Sequence, residues 1–161
     1  MDYRNIESTL SFQKKLSVIV PLRCSSSRGY FYDRAMAFIK DHQHHEDVEF
    51  IVVDSGSEPE FQEAVRLNCE ENGVRYLFLD TYGKDFSIGE ARDYGVTHAT
   101  GKYVTFLDVD LEVPCDFYDK IIYKCFGPHM RKNPASFFIV PCVYLREKGN
   151  QFFSTVDKSA R

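Results

Sequence analysis

The sequence predicts an α/β domain in which helices cover both faces of a mainly parallel sheet. Short runs of branched apolar residues alternate along the chain with segments whose apolar residues have helical spacing. The strand runs are apolar at consecutive positions, which is typical of strands buried on both faces. Strands and helices that alternate in this way form a three-layer α/β/α domain. A chain of 161 residues suffices for one such domain.

The first predicted elements are two strands and the helix between them. Leu16–Leu22 is a short β-branched run that ends at Pro21 and a polar serine loop. Tyr30–Asp41 carries apolar residues at the spacing of a helix. Val48–Val53 is a second apolar run, and an Asp-Ser-Gly-Ser turn sequence follows it.

Capping signals predict the two helices that follow. Ser57–Glu60 fits a capping box with proline in the first turn, and the helix that begins there is expected to end at Asn72-Gly73. Arg75–Leu79 is the third predicted strand. Ser87–Glu90 is a second capping box, and its helix is expected to stop at Gly101.

Small residues along this last helix predict that it lies close to the sheet. They are Ala91, Gly95 and Ala99. The remaining predicted elements are a fourth strand at Tyr103–Leu107, a fourth helix at Cys115–Phe126 and a fifth strand at Phe137–Tyr144. Residues 1–15 are expected to be an N-terminal extension and residues 150–161 a tail without a defined element, so the fold is expected to be incomplete at the C-terminus.

Composition excludes several classes of protein. The net charge of −4 argues against a nucleic-acid partner that is held by phosphate contacts. The five cysteines form no C-x-x-C pair, which predicts reduced thiols rather than a zinc site or a disulfide framework. No signal peptide is recognisable, and the apolar runs are far shorter than the ~20 residues that span a bilayer. We expect a cytoplasmic protein without a transmembrane segment, with peripheral contact at the inner face of the membrane left open.

Polar side chains follow three of the predicted strands. Arg23 comes after the first strand, Asp54 after the second, and Asp108 and Asp110 after the fourth. Ligands of parallel sheets bind at the carboxyl ends of the strands, so these side chains are candidates for one site. The period of two directs Asp108 and Asp110 to the same side and Val109 to the core.

Two neighbouring carboxylates favour a divalent cation. They repel each other unless a cation lies beside them, and carboxylate oxygens suit Mg²⁺ or Mn²⁺ that also binds phosphate oxygens. A metal-bound nucleotide is therefore the inferred ligand. Three alternatives stay open: Asp108 and Asp110 as solvated loop acids, Asp54 as a turn and N-cap residue, and Arg92 as a surface cation rather than a cleft residue.

Three stretches of the chain, taken in order, resemble the family-2 glycosyltransferases with the GT-A fold. They are LSVIVPLR, EFIVVDSGS and FSIGEARDYGVTHATGKYVTFLDVD, and the resemblance extends from about Leu16 to Pro114. Two positions differ from the family pattern. Ser55 stands where the family often has a second acid, and Asp93 replaces the usual asparagine. A nucleotidyltransferase or a dehydrogenase is disfavoured because the loop after strand one has a single glycine.

The resemblance implies roles for individual residues. The Pro21 backbone and Asp54 would contact the base, and Arg92 would lie at the edge of the nucleotide. Asp108 would meet the ribose or the metal, and Asp110 would coordinate the metal. Arg23, which follows the first strand directly, is also predicted to bind the nucleotide.

The resemblance also implies an activity. It predicts metal-assisted, inverting transfer of a sugar from a nucleoside-diphosphate donor, expected to be a UDP-sugar, to a saccharide or lipid-linked saccharide. The pathway it implies is surface or capsular polysaccharide synthesis. No residue is selected as the catalytic base, although Glu147 and Asp157 follow the aspartates. The alternative is a non-catalytic or truncated nucleotide-sugar-binding domain that lacks an acceptor half.

Overall fold

The computed structural model describes residues 13–41, 45–133 and 136–140, with backbone alone at 28–30. Four strands and five α-helices occur in this part of the chain, together with a 3₁₀ turn at Ser26–Arg28. In chain order the strands and helices are β1 (Lys14–Leu22), α1 (Gly29–Asp41), β2 (Val48–Asp54), α2 (Pro59–Glu71), β3 (Arg75–Phe78), α3 (Ile88–His98), β4 (Gly101–Phe106), α4 (Phe117–Cys125) and α5 (Pro128–Lys132).

Four predicted strands and four predicted helices are confirmed, with ends that differ by a few residues. β1 begins at Lys14, two residues before the predicted first strand, and residues 1–12 of the expected N-terminal extension lie outside the described residues. The short helix α5 was not predicted. Residues 136–140 are not in a strand, and the rest of the predicted fifth strand lies outside the described residues, as does the predicted tail.

All four strands are parallel and lie in the order β3-β2-β1-β4. The chain moves outward from β1 to β2 and β3, and then returns to the other side of β1 to form β4. This reversal puts a topological switch point between β1 and β4, and ligands of such sheets bind at the carboxyl ends of the strands beside that point. The predicted parallel α/β sheet is thereby confirmed.

The two faces of the sheet carry different cores. Alternate residues of β1 and β2 point to opposite faces, as the period of two requires. One face packs against α1, α2 and α4, with Val18, Val20 and Val52 at its centre. The other face packs against α3 through a smaller group formed by Ile19, Ile51, Val53 and Ala91. The predicted three layers are therefore present.

Gly95 lets α3 lie close to the sheet, as the small residues of this helix predict. A Cβ atom at this position would lie 2.5 Å from Cγ2 of Ile19 and 3.1 Å from Cγ2 of Val53. Both partners are fully buried. The absence of a side chain at Gly95 is thus a condition of the packing between α3 and β1.

One of the two predicted capping boxes is wrong. Ser87 caps α3 by accepting a hydrogen bond from the backbone N–H of Glu90 at 3.3 Å. Ser57 does not cap α2, whose N-cap residue is Glu58 without a side-chain cap. The Ser57 hydroxyl instead accepts a hydrogen bond from the Cys24 backbone N–H at 2.8 Å. A tertiary contact with the loop after β1 has replaced the local one.

No helix in the described ranges has the length and apolar character that crossing a bilayer demands. The cysteines among these residues, Cys24, Cys69, Cys115 and Cys125, are free thiols. Burial and the neighbouring Asp54 raise the pKa of Cys24 to about 11. This thiol is therefore protonated at neutral pH and has the character of a core residue.

Candidate active site

The predicted site residues lie at the carboxyl edge of three adjacent strands. Pro21 is part of β1 and is paired with Val53, and Asp54 is the last residue of β2, paired with Leu22. Asp108 follows the end of β4, which pairs with β1 on the opposite side from β2. Asp54 and Asp108 therefore lie on opposite sides of the switch point between β1 and β4.

Arg92 and Asp108 form an ion pair beside the switch point. Nη2 of Arg92 lies 2.9 Å from Oδ1 of Asp108, and the two side chains are 31% and 45% exposed. The guanidinium carbon lies 5.2 Å from the ring centre of Phe106. Nε of Arg92 is buried and has no hydrogen-bond partner. The structure thus brings together two residues that the sequence separates by a helix and a strand.

Asp110 and Asp108 are both open to solvent, and the residue between them is not. Val109 is 7% exposed and belongs to the core, whereas Asp110 is exposed and Asp108 is half-buried. β4 ends at Phe106, so this alternation occurs after the strand and not, as the sequence predicts, within it. The backbone N–H of Leu111 donates to the Asp108 carbonyl at 3.0 Å, so residues 108–111 form a turn that contains both aspartates.

These two carboxylates fit part of a Mg²⁺ or Mn²⁺ shell. Within residues 13–41, 45–133 and 136–140, no group of three or more His, Cys, Asp and Glu side chains could hold a metal ion. Mg²⁺ commonly binds one or two carboxylates and completes its shell with water and substrate phosphates, and Mn²⁺ favours the same oxygen ligands. An exposed Asp110 beside a half-buried Asp108 meets that need, and the ligand would have to supply further oxygens.

Asp54 is fully buried and is hydrogen-bonded within the protein. Its Oδ1 accepts a hydrogen bond from the backbone N–H of Ser57 at 2.8 Å, and its Oδ2 accepts one from the Tyr76 hydroxyl at 2.9 Å. Burial raises the pKa of Asp54, and these two hydrogen bonds act in the opposite direction. The contacts are those of a turn residue, and the predicted contact with a base stays a prediction.

Arg23 is also engaged within the protein. Its Nε donates to the Ser55 carbonyl, its Nη1 donates to the Lys84 carbonyl at 2.8 Å, and its Nη2 donates to Oγ1 of Thr81. The ring centre of Phe86 lies 5.7 Å from the guanidinium carbon. Arg23 therefore joins the end of β2 to the loop that precedes α3, and its predicted contact with the nucleotide stays a prediction.

Two residues of this region have roles that the sequence does not reveal. Thr81 is 2% exposed and contacts both Arg23 and Ser55. Tyr76 provides the hydroxyl that binds Asp54. The sequence around Gly83 does carry a turn signal, and the N–H of Lys84 closes that turn on the Thr81 carbonyl at 2.9 Å. Nothing in the turn sequence identifies Arg23 as its partner.

The fold and the site define the class of protein. The parallel sheet is of the α/β type, and its Arg–Asp pair and second carboxylate lie at the switch point, where such sheets bind their ligands. The model of the family described as "Glycosyltransferase like family 2" matches residues 17–161. The chain belongs to this family.

Relatives in two bacteria are named as glycosyltransferases. The chain is 27% identical over 111 residues to an uncharacterized glycosyltransferase of Rickettsia bellii, a match that covers 66% of this chain and 14% of the relative. It is 30% identical over 101 residues to a similarly named protein of Rickettsia conorii, covering 60% of this chain and 15% of the relative. The chain thus spans about one seventh of the length of these curated relatives.

Solved structures show the same fold. The crystal structure of S. aureus TarS 1-349 matches with a TM-score of 0.53 and 22% identity, over 69% of this chain and 32% of that one. A mannosyltransferase of Pyrobaculum calidifontis, solved with GDP-Man and Mn²⁺, matches with a TM-score of 0.53 and 21% identity, over 73% of this chain and 34% of that one. The GT-A fold that the resemblance implies is confirmed.

Proposed function

We propose that the chain is the donor-binding part of a glycosyltransferase that moves a sugar from a nucleoside-diphosphate donor to a saccharide or lipid-linked saccharide hydroxyl. The observation that carries this proposal is the cluster of Arg92, Asp108 and Asp110 at the switch point between β1 and β4. Membership of the glycosyltransferase-like family supports it, because the matched region includes this cluster.

Asp110 and Asp108 would hold the divalent cation. Asp110 is the more exposed of the two. None of the salt bridges between described residues involves Asp110, whereas Asp108 pairs with Arg92. Asp108 already interacts with Arg92, which holds its carboxylate beside the switch point. Bound Mn²⁺ or Mg²⁺ would neutralise the charge that develops on the leaving diphosphate. The mannosyltransferase structure that shares this fold contains Mn²⁺.

Arg92 would attract the donor and set the position of Asp108. One face of its guanidinium lies over the Phe106 ring, and its Nη2 binds Asp108. Its buried Nε has no partner. The Arg92 side chain is 31% exposed, so the accessible part of its guanidinium can meet a ligand oxygen, and we assign Arg92 to the edge of the nucleotide.

The donor is proposed to be a UDP-sugar and the transfer to be inverting, in the synthesis of surface or capsular polysaccharide at the cytoplasmic face of the membrane. TarS, whose fold matches with a TM-score of 0.53 and 19% identity, was solved with UDP-GlcNAc. Inverting transfer needs a base that takes the acceptor proton. We propose that this base belongs to an acceptor-binding half, as in the family that the chain resembles.

The activity can be tested by measuring nucleoside diphosphate released from a panel of UDP-sugars and GDP-mannose with Mn²⁺. Asp110→Asn removes one carboxylate, and Asp41→Asn is the matched control because Asp41 ends α1, near the opposite edge of the sheet. We expect release by the wild type and by Asp41→Asn, and a loss of about 100-fold in Asp110→Asn. Donor binding without any release would instead support the non-catalytic nucleotide-sugar-binding domain.

A further inference from the structure

We propose that Arg23 is a positioning residue of the nucleotide site and does not itself contact the donor. Its guanidinium holds the loop of residues 79–87, here called the 79–87 loop, against the end of β2. The inference rests on the proposed function, because the loop leads into the helix that carries Arg92. Arg23 would thus influence donor binding indirectly, through the backbone of the 79–87 loop.

All three nitrogens of the Arg23 guanidinium are engaged. Nε donates to the Ser55 carbonyl, Nη1 to the Lys84 carbonyl at 2.8 Å, and Nη2 to Thr81 at both its Oγ1 and its carbonyl, the latter at 3.3 Å. The Phe86 ring packs against the same group. Arginine has five donors in a planar fork, so one side chain can bridge carbonyls from different loops.

The surroundings of Arg23 are closely packed. Ser55 is fully buried, Thr81 is 2% exposed, and their hydroxyl oxygens lie 3.1 Å apart. Gly56 has φ of 74°, and a Cβ atom there would lie 2.8 Å from Oγ1 of Thr81 and 3.3 Å from Nη2 of Arg23. A residue with a side chain would therefore be strained at this position. It would also displace the hydrogen bonds from Arg23 to Ser55, Thr81 and Lys84, here called the clamp.

The clamp reaches the proposed site through the start of α3. The 79–87 loop ends at Ser87, which caps α3 through the N–H of Glu90, and Arg92 follows in the next turn. The later part of α3 is held on the sheet by Gly95, independently of the loop. Release of the clamp should therefore leave the fold in place and loosen the 79–87 loop and the first turn of α3.

The effect on donor binding follows from the fraction of molecules whose loop is in place. An apparent dissociation constant rises in inverse proportion to the fraction of competent protein. If release of the clamp lowers that fraction about tenfold, the Kd for UDP rises about tenfold. The effect should not depend on salt, because no charge-to-phosphate contact is lost.

Two variants separate a positioning role from direct contact. Arg23→Lys keeps the positive charge but cannot bridge three loop positions. Thr81→Val removes one anchor of the clamp and leaves the guanidinium intact. Arg66→Ala is the control: it removes a positive charge from α2, where Arg66 pairs with Glu63 and Glu70 on the exposed surface.

The test is calorimetric titration of UDP with Mn²⁺ into each protein at low and high NaCl. We expect a Kd about tenfold higher for Arg23→Lys and Thr81→Val, a wild-type Kd for Arg66→Ala, and the same salt dependence in all four proteins. Wild-type affinity in Thr81→Val, or a changed salt dependence in Arg23→Lys, would overturn the positioning role.

Hydrogen exchange without nucleotide tests the clamp separately from the proposed function. The Lys84 N–H is bonded to the Thr81 carbonyl within the 79–87 loop. We expect its exchange to be faster in Arg23→Lys and Thr81→Val than in the wild type and Arg66→Ala. Unchanged exchange overturns the clamp whatever the titration gives. If the wild type binds no UDP, the proposed function fails, and the role of Arg23 in donor binding fails with it.

Discussion

Substitution of Gly95 by alanine should destabilise the protein because α3 lies against β1 at this residue. The new Cβ atom would lie 2.5 Å from Cγ2 of Ile19, which is fully buried in the central strand and, as a β-branched residue, has little rotamer freedom. Overpacking of this kind costs about 1–3 kcal/mol of unfolding free energy. The better helix propensity of alanine offsets about 1 kcal/mol of that loss.

Gly89→Ala is a matched control on the same helix. Nothing lies within 4 Å of a Cβ atom built at Gly89, so this change brings the propensity gain without a clash. Gly89 lies in the first turn of α3, where the gain is smaller than at a helix interior, about 0.5 kcal/mol. The free energies of unfolding of the two variants should therefore differ by about 0.5–2.5 kcal/mol, with Gly95→Ala the less stable.

Urea unfolding followed by circular dichroism measures this difference. We expect Gly95→Ala to unfold at lower urea and Gly89→Ala at the wild-type concentration or above, with unchanged m values. In thermal unfolding the gap should be about 5 °C, since 1 kcal/mol shifts the midpoint by about 2–4 °C in a chain of this size. Equal stability of the two variants would refute the close contact between α3 and β1.

Three further predictions concern stability, pH and ligand affinity. Tyr76→Phe leaves the buried Asp54 without one donor and should lower the unfolding free energy by about 1–3 kcal/mol. Because burial raises the pKa of Asp54 in the folded protein, the stabilisation that its protonated form provides is fully present below the ordinary aspartate pKa. This stabilisation is lost as pH rises through the raised pKa of the folded protein. The Tyr76 hydrogen bond lowers that pKa, so urea unfolding against pH should show a larger loss of unfolding free energy in Tyr76→Phe. Glu49 is the opposite case. Burial acts to raise the pKa of Glu49, but hydrogen bonds from Ser17, Thr100 and Gly101 together outweigh burial, so the pKa is lowered. The difference in unfolding free energy between the wild type and Glu49→Gln should therefore shrink as pH falls through this lowered pKa. Arg92→Lys should change the thermal midpoint little, because the ion pair with Asp108 is partly exposed, yet it should weaken UDP binding about tenfold in calorimetry. An unchanged Kd would exclude Arg92 from the site.

The sheet could be predicted from the sequence because its signals are local. The runs around Ile19 and Ile51 are apolar at consecutive positions, and only a strand with helices on both sides buries all of them. The small residues at Ala91 and Gly95 indicated the closely packed helix in the same way. Such patterns involve residues that are close together in the chain. The strands and the closely packed helix could therefore be predicted from the sequence alone.

The wrong capping box shows where local signals fail. Ser57 has the sequence of an N-cap, but the Cys24 N–H, 33 residues away, occupies its hydroxyl. The hydrogen bonds of Arg23 to the loop before α3 span about sixty residues. Contacts of this range form only after the strands are paired, and no spacing in the chain indicates them.

Only part of the candidate site could be predicted from the sequence, because some of its residues follow a local pattern and others are brought together by tertiary packing. Asp108 and Asp110 come within four residues of the end of β4, so their placement at the carboxyl edge of the sheet could be inferred from the chain alone. The pairing of Arg92 with Asp108 needs the relative positions of α3 and β4, which the sequence left as a choice between a surface cation and a cleft residue. The burial of Asp54 among Ser57 and Tyr76 also depends on tertiary packing.

The central claim is that Asp110 and its neighbours bind a metal-bound nucleoside diphosphate at the switch point between β1 and β4. Calorimetric titration of UDP with and without Mn²⁺, into the wild type, Asp110→Asn and Asp41→Asn, tests it most directly. We expect Mn²⁺-dependent binding by the wild type and Asp41→Asn, with affinity at least tenfold weaker in Asp110→Asn. Equal, Mn²⁺-independent binding by all three proteins, or none by the folded wild type, would contradict it.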